Sequence, residues 1–132
     1  MKYISRSRSS WRNTVKDRVY SFIGLAMKAG RLVSGGEACE RAIRRGSVFL
    51  LVVSEDASDN TIKRFEDACK YRGIPFRRFG EKEVLGKLLG KKVRSVFAVT
   101  DIRLARNLEK LIDEQKGRRN KHGGELIEQK DI

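Results

Sequence analysis

Apolar positions along this chain change period several times, and each change marks an element. Val15, Val19, Phe22, Ile23 and Ala26 recur at three- and four-residue intervals, which predicts an amphipathic helix over Thr14–Ala29. Gly30 follows where a left-handed residue closes a helix. Arg31-Leu32-Val33 reads as a short extended piece. Ser34 then reads as an N-cap, because Ser34-Gly35-Gly36-Glu37 has the capping-box spacing, and a second helix runs to Arg45 before Gly46. Val48 to Val53 is an unbroken apolar run rich in β-branched residues, the signature of a strand buried on both faces.

Ser54 to Asn60 is polar and reads as a loop, with Ser58 the cap of a third helix. Ile62, Phe65 and Cys69 line that helix's inner face, and Gly73 closes it. Ile74 to Phe79 reads as a short strand, and Pro75 near its start argues for a sheet edge. Glu81 to Leu89 is a short helix, Lys91 to Arg94 a basic loop, and Ser95 to Val99 a further buried strand. Asp101 caps a final helix whose Leu104, Leu108, Leu111 and Ile112 face inward. Alternation of helices and strands in this order predicts helices on both faces of a central sheet, parallel or mixed. One α/β domain is expected over residues 14–116, after a basic arm at 1–13 and before a polar, frayed tail at 117–132. There is no internal repeat.

Charge changes this picture most. The net charge is +13, a field that attracts nucleic acid or an anionic surface. The excess clusters in the arm and first helix, in the second helix, and in the segment ending at Arg94. No apolar run is long enough to span a bilayer, so no membrane partner is expected. The N-terminus lacks the apolar stretch of a secretory signal, so the cytoplasm is the expected compartment. Cys39 and Cys69 both fall on inward helical positions and read as buried free thiols. With one histidine, His122, in the polar tail, neither a zinc site nor a cysteine–histidine nucleophile pair is expected. No P-loop and no G-x-G-x-x-G after a strand is present, so no cofactor, small-molecule substrate or catalysis is expected.

The densest chemistry lies at Gly35-Gly36. A helix start presents unpaired N–H groups and the positive end of a dipole, and glycines there admit a ligand closely. Arg41, Arg44 and Arg45 follow on the same helix. Each feature also has a plain reading. The glycines can serve only a tight helix entry, Glu37 can serve only the capping box, and the arginines and lysines can be solvated surface. Glu55 and Asp56 can be a carboxylate pair, but compensation of the third helix's dipole explains them more simply. Arg77 and Arg78 are adjacent in a strand, so at most one joins any one patch. Trp11 in the arm either docks on the body or stacks on a base.

Phe22 to Gly35, with Ala42-Ile43-Arg44-Arg45-Gly46, resembles the large-subunit ribosomal proteins that bind kink-turn RNA. Ser54 to Ser58, Asn60-Thr61, Ile74-Pro75, Leu85-Gly86 and Arg94-Ser95-Val96 continue the resemblance in order, over about Val19 to Leu111. The chain is most similar to the short bacterial, ribosome-associated (YlxQ-type) members.

The resemblance implies a three-layer α/β/α sandwich with a mixed sheet of about four strands. It implies non-catalytic binding of structured RNA, with ribosomal RNA or a kink-turn-like element as the partner. It places the RNA-binding residues at Gly35, Gly36, Glu37, Arg41, Arg44, Lys91, Lys92, Val93 and Arg94. Arg41 matches a lysine that contacts RNA, and Val93 falls in the loop that covers an extruded base. Where archaeal kink-turn binders carry an Asn-Glu pair, this chain has Glu37 and Ala38. The rival expectations are a substrate-recruiting relative of RNA 2′-O-methyltransferases and an interaction module for an acidic protein.

Overall fold

The computed structural model describes the backbone of residues 14–131 and the side chains of residues 15–117. The expected basic arm with Trp11, and the side chain of His122, lie outside the described residues. Among the described residues nine elements follow one another: α1 (Thr14–Lys28), β1 (Leu32–Ser34), α2 (Gly36–Arg45), β2 (Leu50–Val53), α3 (Asp59–Arg72), β3 (Phe76–Arg78), α4 (Lys82–Leu88), β4 (Val96–Val99) and α5 (Ile102–Asp131). Their order matches the alternation in the sequence, with β1 shifted one residue later and the other strands trimmed by one to three residues. Ser58 Oγ accepts from Thr61 N–H at 3.2 Å, and Asp101 Oδ1 accepts from Leu104 N–H at 3.0 Å, so both expected caps form.

The strands form one mixed sheet in the order β1-β4-β2-β3. β4 pairs antiparallel with β1 and with β2, whereas β2 and β3 are parallel. Proline-led β3 is an edge strand, as Pro75 requires. All four residues of β2 and of β4 are buried, which accounts for their unbroken apolar runs. Alternate residues then serve opposite layers. Leu50, Val52, Phe97 and Val99 join Val19, Ile23 and Ala26 of α1, Leu85 of α4, and Ala105, Leu108 and Ile112 of α5. Leu51, Val53, Val96 and Ala98 join Cys39, Ala42 and Ile43 of α2 and Phe65 and Cys69 of α3. The result is a three-layer α/β/α sandwich.

Two expectations about helix ends fail for physical reasons. Ser34 is not the cap of α2. Gly35 is, with φ 96° and ψ 150°, and no side chain caps the helix. Ser34 is held in the sheet opposite Phe97. The left-handed φ that turns the chain into α2 suits glycine. The second failure is at the C-terminus, where α5 continues through Gly117 to Asp131 instead of ending at Lys116. A glycine inside a helix costs only about 1 kcal/mol relative to alanine, and its neighbours Glu114, Gln115, Lys116 and Arg118 are good helix formers.

Candidate nucleic-acid interface

The antiparallel pairing of β1 with β4 builds the site. It sets the end of β1, where α2 begins, beside the start of β4 and the loop that leads into it. Gly35 N–H donates to Val96 O at 3.0 Å and ties the two together. Gly36 opens the helix, and Glu37 sits exposed in its first turn.

Arg94 is the hinge of this arrangement. Its backbone N–H donates to Lys82 O at 3.0 Å, and its Nε donates to Ser34 Oγ at 2.9 Å. The guanidinium carbon then lies 3.4 Å from where a Cβ on Gly35 would stand. The cation thus lies beside the backbone of the helix entry, where the positive φ of 96° suits glycine. Lys91, Lys92 and Val93 precede it on an exposed loop, and Val93 keeps 42% of its surface in solvent. Gly86 sets the loop's height: a Cβ there would meet Lys92 O at 2.5 Å, and Lys91 N–H donates to Gly86 O at 2.7 Å. Leu85-Gly86 is therefore a seat for the basic loop as well as part of α4.

A second cation stands on the other side of the helix entry. Arg64 of α3 brings a terminal guanidinium nitrogen within 3.6 Å of where a Cβ on Gly36 would stand. Its Nε donates to Glu40 Oε2 at 2.8 Å, and its guanidinium carbon lies 5.0 Å from the ring centroid of Phe65. The Arg64 hydrogen bond holds the Glu40 carboxyl below its usual range, and the same bond raises Arg64. Sequence reasoning missed Arg64. Its local signal is only that of an outward charge on an amphipathic helix, and packing of α3 against α2 alone brings it here.

Of the nine residues expected at the site, Gly35 and Arg94 meet directly, and Gly36 follows Gly35 with Arg64 as its neighbour. Glu37 stands in the same first turn without closing a capping box. Lys91, Lys92 and Val93 share the Arg94 loop. Arg41 and Arg44 are exposed farther along α2, and Arg44 stands eight residues from Gly36, about 12 Å along the axis.

Arg77 and Arg78 belong to no such patch. Arg77 donates to Glu109 at 2.7 Å and Asp113 at 2.8 Å on α5, and Arg78 donates to Glu55 O at 2.7 Å. The acidic loop also differs from expectation. Asp56 Oδ1 accepts from Lys82 N–H at 3.0 Å, so it satisfies the start of α4 rather than α3. The parallel pairing of β2 and β3 brings their trailing loops together, with Glu55 N–H donating to Gly80 O at 2.8 Å. No described helix is long and apolar enough to cross a membrane.

Comparison with known proteins places the chain in a family. Residues 17–109 match the family described as ribosomal protein L7Ae/L30e/S12e/Gadd45. The RNA-binding protein YlxQ of Bacillus subtilis (strain 168) is 38% identical over 94 residues, which cover 71% of this chain and 94% of that protein. Its namesake from Enterococcus faecium is 35% identical over 99 residues, 74% of this chain and 94% of that protein. A solved protein of unknown function from Bacillus halodurans superposes with a TM-score of 0.69 at 37% identity, over 72% of this chain and 96% of that one. A 15.5kD RNA-binding protein from Giardia lamblia shares the fold, with a TM-score of 0.62 at 16% identity, over 76% of this chain and 87% of that one. The chain therefore belongs to the L7Ae/L30e/S12e/Gadd45 family of ribosomal proteins, beside its YlxQ-type members.

Proposed function

We propose that this protein binds structured RNA without catalysing a reaction, as a ribosome-associated protein of the cytoplasm. The observation that carries the reading is the juxtaposition at the start of α2. The start of α2 at Gly36, the Arg94 guanidinium seated on Ser34, and exposed Val93 on the adjoining loop sit side by side, while the Gly35 N–H is spent on Val96 O. Donors and cations suit bent phosphates, and an apolar side chain at the rim suits an unstacked base. The names of the YlxQ relatives support the same partner.

In this reading Gly35, Gly36 and Arg94 hold the backbone at the kink. Lys91, Lys92 and Arg41 meet phosphates on either side, and Val93 covers the extruded base. Glu37 accepts from guanine N–H groups at the sheared steps, and Ala38 leaves the second contact unmade. Arg44 extends the charge along α2.

The test is direct binding of a kink-turn RNA and of a straight duplex of matched length at several salt concentrations. The kink-turn RNA binds more tightly at every salt concentration, and both affinities fall as salt rises. Equal affinities for the two RNAs would overturn the kink-turn assignment. Binding insensitive to salt would overturn the electrostatic one.

A further inference from the structure

A groove between α2 and α3 shares only Arg44 with the interface proposed above. It encloses about 190 Å3 and is lined by Glu40, Ile43, Arg44, Ala68, Tyr71 and Arg72. Tyr71 is 87% exposed, more than any other large hydrophobic side chain among the described residues. Burial in the fold does not explain a tyrosine there. Ile43 and Ala68 supply apolar lining, and Arg44 and Arg72 supply cations. Glu40 is the sole acid of the lining, and Arg64 already holds it at 2.8 Å. Arg72 Nη1 donates to Ile43 O at 3.1 Å. That bond uses one of five guanidinium donors, and it fixes the plane of the rest beside the groove.

We infer that this groove is a second RNA subsite, in which Tyr71 stacks an unpaired base and Arg44 and Arg72 hold the phosphates beside it. The inference rests on the RNA-binding reading above. Continuity of charge selects RNA over an acidic peptide. Arg41, Arg44 and Arg45 recur at three- and four-residue spacing and run from the helix entry to the groove on one face of α2. The span from Gly36 to Arg44 is about 12 Å, the length of about four nucleotides of a stacked strand. An exposed π-face beside arginines is the arrangement on which unpaired bases stack without regard to sequence. A peptide carboxylate would need the arginines and not the ring.

The test uses the full chain and two RNAs: a blunt-ended kink-turn RNA, and the same RNA with an unpaired uridine tract at each end. Tyr71→Ala weakens the extended RNA about 5- to 100-fold and changes the blunt one less than about twofold. Tyr71→Phe, which keeps the ring, binds both as the wild type does. Uridines replaced by 5-iodouridine in the tract photocrosslink to the peptide that carries Tyr71. The groove is overturned if Tyr71→Ala binds the extended RNA normally, or if it weakens both RNAs alike. It is overturned equally if poly-glutamate binding, and not RNA binding, depends on Tyr71. A wild-type chain that binds neither RNA would remove the parent reading, an outcome distinct from loss of the groove alone.

Discussion

Arg94 Nε donates to Ser34 Oγ at 2.9 Å across 60 positions of sequence, a side-chain bond that joins the two walls of the candidate site beside the Gly35–Val96 backbone bond. It turns a serine at the end of an edge strand into the seat of a cation. The helix that follows has no side-chain cap because its cap position is Gly35, one residue past the serine.

Removal of that cation tests the site first. Arg94→Ala should weaken a kink-turn RNA by about 1.5–3 kcal/mol, the usual worth of a hydrogen bond to a charged group. Ser34→Ala leaves the charge but frees its orientation, and should cost less. The double variant should fall short of the sum of the singles by about 0.5 kcal/mol or more, because the two side chains act as a pair. Strict additivity in titrations of all four proteins would show that Ser34 does not position Arg94.

Glycine substitutions separate strain from displacement. Gly86→Ala places a Cβ 2.5 Å from Lys92 O, so the basic loop must move. Stability should drop by about 1–3 kcal/mol, and RNA affinity should drop with it. Gly30→Ala meets nothing within 4 Å but holds φ at +72°. It should lose about 1 kcal/mol or more of stability from strain alone and keep its RNA affinity. Thermal unfolding and a binding titration on both variants decide the point. Equal effects on binding would show that the loop's seat does not matter.

Not every arginine should count. Arg41→Ala and Lys91→Ala should each lessen the slope of log affinity against log salt by about 1. Arg77→Ala removes the same charge, yet that guanidinium is bonded to Glu109 and Asp113 at 2.7 and 2.8 Å. Its slope should match the wild type, with a stability loss of about 1 kcal/mol. A slope change for Arg77→Ala equal to that for Arg41→Ala would mean that overall charge, not the patch, drives binding.

The buried thiols give a pH signature. Burial pushes Cys39 up to about 12, against a weaker downward pull from Arg94, and pushes Cys69 up to about 11. The native state therefore holds these protons more tightly than the unfolded chain, whose thiols titrate near 9.0. Their contribution to stability is complete below pH 9.0 and is lost as pH rises towards about 11 for Cys69 and about 12 for Cys39. Urea unfolding at pH values above and below the thiol range should show a steeper alkaline decline in the wild type than in a Cys39→Ala, Cys69→Ala variant. Parallel declines would refute this.

Much of the scaffold was legible because its signals are local. Ser58 and Asp101 cap the helices that begin one residue after them, and Gly46 and Gly73 end helices in left-handed geometry. The apolar runs of β2 and β4 announced burial on both faces. Family resemblance placed Gly35-Gly36 and the Lys91–Arg94 loop at one site, but the bonds that join them were not legible. Asp56 looked like a partner for the helix nearest in sequence and serves α4. Arg64 drew no expectation from the sequence and flanks Gly36. Gly117 looked like a stop and is not one.

By itself the sequence determined the order of elements, the buried strands, most helix ends and the basic character of the surface. Each follows from side-chain chemistry over a few adjacent residues. Only the tertiary structure decided which loops meet. That choice depends on strand pairing between distant segments: β1 against β4 brings Ser34 to Arg94, and β2 beside β3 brings Asp56 to Lys82. It also decided the cap of α2, because a serine locked in a sheet ladder and bonded to Arg94 cannot turn back to a helix start that Gly35 enters at φ 96°.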